Sequence, residues 1–113
     1  MNNFGTLGYN ELKHFTPILR QNIEFDFIPQ HPIKTINGNY IVDFYFPDLN
    51  LIIEYDEKAH GYKKTEDSYR ENSIKETMNC VFIRVDDDEF MSNKKEAVDK
   101  LKKQIKDVEC VVS

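Results

Sequence analysis

Tyr40-Ile-Val-Asp-Phe-Tyr-Phe-Pro-Asp-Leu-Asn-Leu-Ile-Ile-Glu-Tyr-Asp56 holds two runs of aromatic and β-branched residues, Tyr40 to Phe46 and Leu51 to Tyr55. Such residues favour the pleated, half-buried surface of a strand. The link between them, Pro47-Asp48-Leu49-Asn50, is short and turn-like, so the pair is expected to form an antiparallel hairpin. Upstream, Ile36-Asn37-Gly38-Asn39 reads as a second turn, because Asn-Gly adopts the positive φ that a tight turn needs. Ahead of that turn, Glu24 to Ile28 reads as a short strand ended by Pro29. Leu12, Phe15, Ile18 and Leu19 recur at helical spacing, with Asn10 as the N-cap, and Pro17 is expected to kink that helix or start a second one.

Downstream, a polar stretch from Glu57 to Lys64 leads into a helix over about Glu66 to Met78. Cys80 to Val85 is a fourth strand; if it runs parallel to the third, the helix between them is a right-handed crossover. The acidic run Asp86 to Glu89 reads as a solvated loop. Lys94 to Val108 is a closing helix, with Asn93 and Glu96 as a capping box and Ala97, Leu101, Ile105 and Val108 as its apolar stripe. The expected fold class is α/β: an αβββαβ order with a mixed four-stranded sheet flanked by helices, plus a C-terminal helix. At 113 residues, 1–113 is expected to be one domain, with its core over about 7–90 and the last helix at about 93–108.

Composition narrows the function. With 40% hydrophobic residues and 12% aromatics the chain can enclose a core. No apolar run reaches the roughly 20 residues that span a bilayer, and the N-terminus has no secretory pattern. Cys80 and Cys110 form no metal-ligand pattern, Cys80 reading as a buried thiol, so a reduced, cytoplasmic protein is expected. The net charge of −5 disfavours a strong general DNA binder, although a bound divalent cation would offset part of it locally.

The informative residues are acids where a strand should be apolar. By strand alternation Asp43 shares a face with Ile41 and Tyr45, and Glu54 and Asp56 share one with Ile52. Burying unpaired carboxylates side by side is costly, and a divalent cation held by hard oxygen ligands removes that cost. The competing reading is that both acids face solvent from a one-sided sheet. Glu54, Asp56, Glu57, Lys58 and His60 cluster at the C-terminal end of the third strand, where open α/β sheets place their sites. His14 and His31 read as structural, and Tyr45, Tyr55 and Phe44 as core. The lysines of the last helix read as a solvated face, with DNA contact as the sharper alternative.

Phe27-Ile-Pro-Gln-His-Pro-Ile33, the stretch Tyr40 to Asp56, then His60, Asp67, Arg70 and Phe82-Ile-Arg84 together resemble a short endonuclease domain of the PD-(D/E)XK, restriction-endonuclease-like superfamily. The resemblance covers roughly residues 7 to 90 and is to the very-short-patch-repair-like branch, found in bacteria, phages and large DNA viruses. It implies a Mg²⁺-dependent endonuclease acting on DNA, with Mn²⁺ as a substitute cation. Asp43 and Glu54 correspond to the metal-binding acids, Glu11 to an acid near the metal, and Asp67 and Arg70 to a polar pair on the following helix. Asp56 stands where the superfamily's name places a lysine, as is frequent in this branch, with His60 following. Proton transfer then falls to His60, Lys58 or Lys63. Lys58, Lys63 and Arg70 are also the candidate phosphate contacts. The missing lysine leaves a rival open: a catalytically impaired nuclease fold that binds DNA or a protein partner, as in phage regulation. An RNA-directed or structure-specific nuclease is a second rival. So small a domain also leaves room for a homodimer to complete the substrate cleft.

Overall fold

The computed structural model describes residues 9–56 and 64–112. The chain runs α1 (Tyr9–Asn22), β1 (Ile28–Thr35), β2 (Gly38–Phe46), β3 (Leu51–Asp56), α2 (Lys64–Met78), β4 (Val81–Asp86), α3 (Asp87–Ser92) and α4 (Lys94–Val112). The strands form one sheet in the order β1-β2-β3-β4. Both hairpins are antiparallel and β3 pairs with β4 in parallel, so α2 is the crossover that the sequence implies.

Helices cover both faces. On one, Phe15 and Leu19 of α1, Phe90 of α3, and Leu101, Ile105 and Val108 of α4 pack on Phe44, Phe46, Leu51, Ile53, Tyr55 and Ile83. On the other, Ile74 of α2 packs on Ile33, Val42 and Ile52. β3 is flanked by a strand on each side, and Leu51, Ile52 and Ile53 are fully buried. Phe15 is the hub of the first face, its ring 5.7 Å from Phe44, 4.8 Å from Tyr55 and 5.1 Å from Phe90.

Several boundaries differ from the sequence reading. β1 begins at Ile28, where the sequence reading ends its strand, and it carries Pro29 and Pro32. It lies at the edge of the sheet, where a residue lacking an N–H costs no ladder bond on the outer side. α1 starts at Tyr9, so Asn10 lies within it rather than capping it, and the helix continues through Pro17. The acidic run is a short helix, not a loop: Asp86 is its N-cap, accepting from the Glu89 N–H at 3.0 Å. Asn93 caps α4, its Oδ1 accepting from the Glu96 N–H at 3.1 Å, but the expected box is only half made, because the Asn93 N–H donates to the Glu89 carbonyl instead. Cys80 is half-buried rather than enclosed, and Cys110 is exposed. Asn79, with φ of +52°, ends α2, and the Asn50 side chain ties the hairpin turn to the Met78 and Asn79 carbonyls. Among the described residues no helix is long and apolar enough to cross a membrane.

Candidate functional site

The register of β2 on β3, Phe44↔Ile53 and Tyr45↔Ile52, places Asp43 opposite Glu54. At that point side-chain oxygens replace the backbone ladder. The Asp43 N–H donates to Glu54 Oε2 at 3.2 Å, and the Tyr55 N–H donates to Asp43 Oδ2 at 2.8 Å. Each carboxylate is thus anchored by the backbone of the opposite strand.

Side-chain alternation also resets here. Tyr40 and Val42 pack on the α2 side, Phe44 on the α1 side, and Tyr45 again on the α2 side. A strictly alternating strand would put Val42 and Phe44 on one face, so the single face expected for Ile41, Asp43 and Tyr45 does not run through. The bracketing pairs Pro29↔Phe44 and His31↔Val42 set Gln30 of β1 against Asp43, and Gln30 has φ of +51°. Both strands change facing at the same step.

Glu54 keeps the expected face beside Ile52, and it is buried. Its counter-charge comes from α2: Arg70 Nη1 and Nη2 donate to Oε1 and Oε2, each at 3.0 Å, and Nη2 also donates to the Ile41 carbonyl at 2.8 Å. Asp56, one step along that face, is held by Arg84 Nη1 at 2.9 Å, while Arg84 Nε and Nη2 hold Glu71 of α2. Burial works to raise the Glu71 carboxyl, but the bonds from Lys75 and Arg84 outweigh it and hold the group below its ordinary range. Asp43 is the exception in this network. Burial and then the Glu54 charge push its carboxyl from 3.8 up to about 7, although the Tyr55 N–H and Arg70 pull it back.

Two hard-oxygen side chains therefore face each other with one arginine between two acids. Among the described residues the pair carries more acid than base, and its donor chemistry fits a cation such as Mg²⁺, which ordinarily completes its shell with water and phosphate. Among the described residues no group of three or more His, Cys, Asp or Glu side chains converges to hold a metal. The other candidates are placed as follows. Lys58, His60 and Lys63 lie outside the described residues, as do the side chains of Glu11 and Asp67.

A family model described as "Restriction endonuclease PvuRts1 I-like, N-terminal" matches residues 18–112. The chain belongs to this family. Asp43, Glu54, Asp56, Arg70 and Arg84 all fall within the match, and Glu11 lies upstream of it. No curated protein and no solved structure matches the chain significantly.

Sequence reasoning offered Arg70 as a helix pair for Asp67 or a phosphate contact; its fork on Glu54 depends on how α2 lies over the sheet, which no local spacing reveals. The Arg84 bridge and the Gln30 backbone went unread for the same reason. His31 stacks on Tyr45 at 5.0 Å, and His14 Nε2 lies 2.6 Å from Lys94 Nζ, so neither belongs to the carboxylate site. A cavity of about 290 Å³ between the residues after α1 and the face of α4, lined by Phe25, Lys102 and Lys106 among others, is also separate from it.

Proposed function

We propose that the chain is a divalent-metal-dependent endonuclease that hydrolyses DNA phosphodiester bonds at a PD-(D/E)XK-type carboxylate pair, of the very-short-patch-repair-like kind. The observation that carries this reading is the facing of Asp43 and Glu54 across β2 and β3, in a chain of a restriction-endonuclease-like family. Asp43 and Glu54 are the residues that would hold Mg²⁺ or Mn²⁺. When bound, such an ion polarises the scissile phosphate and lowers the pKa of the attacking water.

The chain's own groups divide the remaining work. Burial and the Glu54 charge raise the Asp43 carboxyl in the metal-free chain, so an ion binding there displaces a proton. Glu54 is fixed in orientation by the Asp43 N–H and by Arg70. Asp56 stands in the lysine position and is engaged by Arg84, which suits it to positioning more than to proton transfer. Proton transfer is assigned to His60, or to Lys58 or Lys63, with Glu11 as a further acid near the metal. Lys58 and Lys63 are assigned to phosphate contact.

The test is incubation of the purified chain with plasmid, single-stranded and mismatched DNA in Mg²⁺, in Mn²⁺ and in EDTA. Metal-dependent cleavage that disappears on Asp43→Ala is expected. Cleavage that survives both Asp43→Ala and EDTA would refute the assignment. A chain that binds DNA but cuts none of these substrates would instead be a non-catalytic module.

A further inference from the structure

The fork between Arg70 of α2 and Glu54 sits on one of the two proposed metal ligands. A carboxylate offers about four lone-pair directions, and three are taken here. Arg70 Nη1 claims one on Oε1, Arg70 Nη2 one on Oε2, and the Asp43 N–H a second on Oε2. A divalent cation needs direct access to such a lone pair at close range, and it brings two positive charges to where a guanidinium already sits. The one lone pair left, on Oε1, adjoins the Arg70 Nη1 bond, so a cation bound there lies against the guanidinium and repels it.

We infer that Arg70 and a divalent cation are alternative partners of the Glu54 carboxylate, so that Arg70 is a displaceable internal counter-ion which weakens metal binding. This rests on the metal-site reading given above and adds to it a regulation of that site. The surroundings give Arg70 somewhere to go. Its Nη2 already bonds the Ile41 carbonyl at 2.8 Å, and its Cζ lies 5.9 Å from the centre of the Tyr40 ring. Its side chain is 22% exposed against 9% for Glu54, so the arginine is the partner with access to solvent. Releasing Glu54 costs Arg70 one fork but leaves it the carbonyl and the ring. The same release presents a guanidinium beside the site, where a phosphate can take it bidentately.

A purely supporting role makes the opposite prediction. If Arg70 only orients Glu54 for the metal, removing it weakens metal binding; if it competes, removing it strengthens binding. Mn²⁺ binding followed by electron paramagnetic resonance at pH 8, with melting temperature measured in parallel, separates the two. Arg70→Gln is expected to lower the Mn²⁺ dissociation constant about ten-fold, a coupling of ordinary size for linked sites. Its metal-free melting temperature falls, because buried Glu54 loses its counter-charge, and Mn²⁺ raises it by more than in the unmodified chain. Arg70→Lys, whose point charge cannot grip both oxygens, falls between; it decides the matter if Arg70→Gln does not fold. Equal or weaker Mn²⁺ binding in the Arg70 variants, with binding retained by the unmodified chain and lost in Asp43→Ala, overturns the inference and leaves the metal site standing. Absence of Mn²⁺ binding in the unmodified chain and the Arg70 variants alike overturns both.

Discussion

At the scale of the residue, Asp43 has a protonation equilibrium that folding moves in the unusual direction for a carboxylate. The folded chain keeps its proton up to about pH 7, whereas an unfolded chain releases it near 3.8. Between those values the folded state binds the extra proton, so stability from this group is complete below about 3.8 and is lost as the pH rises through about 7. Asp43→Asn keeps an oxygen for the Tyr55 N–H and cannot ionise. It is therefore expected to raise stability at both pH values in EDTA, pH 5 and pH 8, and by roughly 2–3 kcal/mol more at pH 8 than at pH 5. Urea unfolding at the two pH values checks this, and an equal effect at both would rule out the shifted carboxyl. In the unsubstituted chain Mn²⁺ binding is expected to strengthen across the same interval, because the cation competes with that proton. Glu54→Ala acts differently. It removes the counter-charge of the Arg70 guanidinium and the partner of the Asp43 N–H, and is expected to cost about 3 kcal/mol at pH 5 and less above pH 7, where it also relieves the repulsion of ionised Asp43. The two acids themselves were legible in the sequence because they interrupt apolar strands. The counter-ion was not, since Arg70 reaches Glu54 from 16 residues away, as Arg84 reaches the neighbouring Asp56 from 28.

At the scale of the element, β1 and β2 behave as a pair that reverses its facing at one step. Gln30 takes a left-handed backbone there, a conformation that costs a non-glycine residue on the order of 1–3 kcal/mol. Gln30→Gly is expected to raise the urea midpoint by the equivalent of roughly 0.5–1 kcal/mol, and Gln30→Val, β-branched, to lower it by more. The more telling readout is the neighbouring strand. Because Gln30 sits against Asp43, Gln30→Val is expected to weaken Mn²⁺ binding as well as stability, whereas a strain confined to the edge would leave binding alone. Here the sequence misled in a specific way. Pro29 ended the predicted strand because proline breaks a central ladder, and only the strand order shows that β1 is an edge. The hairpin of β2 and β3, the crossover helix and the stripe of α4 were all legible, since each is announced by local periodicity and turn chemistry. A reversal of facing has no such signature, because both halves of β2 alternate normally when read separately.

At the scale of the whole molecule, charge is what the proposed function must contend with. Acids outnumber bases by 20 to 15, and the lysines of α4 alternate with Glu96, Asp99, Asp107 and Glu109 rather than forming a stripe of one sign. Two of those lysines are already engaged, Lys100 by Glu89 and Lys94 by His14. DNA approaching such a surface gains little from counter-ion release, which ordinarily supplies most of the affinity. The attraction therefore has to be local, and the carboxylate pair becomes attractive to phosphate only when its own charge is reversed. DNA binding is accordingly expected to depend on a divalent cation. Ca²⁺ also takes carboxylate oxygens as ligands, so fluorescence anisotropy with a labelled duplex in Ca²⁺ and in EDTA reads the effect directly. Affinity in EDTA is expected to be weaker by about ten-fold or more, with a shallow salt slope corresponding to roughly two or three phosphate contacts. Tight binding in EDTA with a steep slope would instead mean that a basic surface grips the DNA independently of Asp43 and Glu54. The net charge would then be no guide to how this domain meets its substrate.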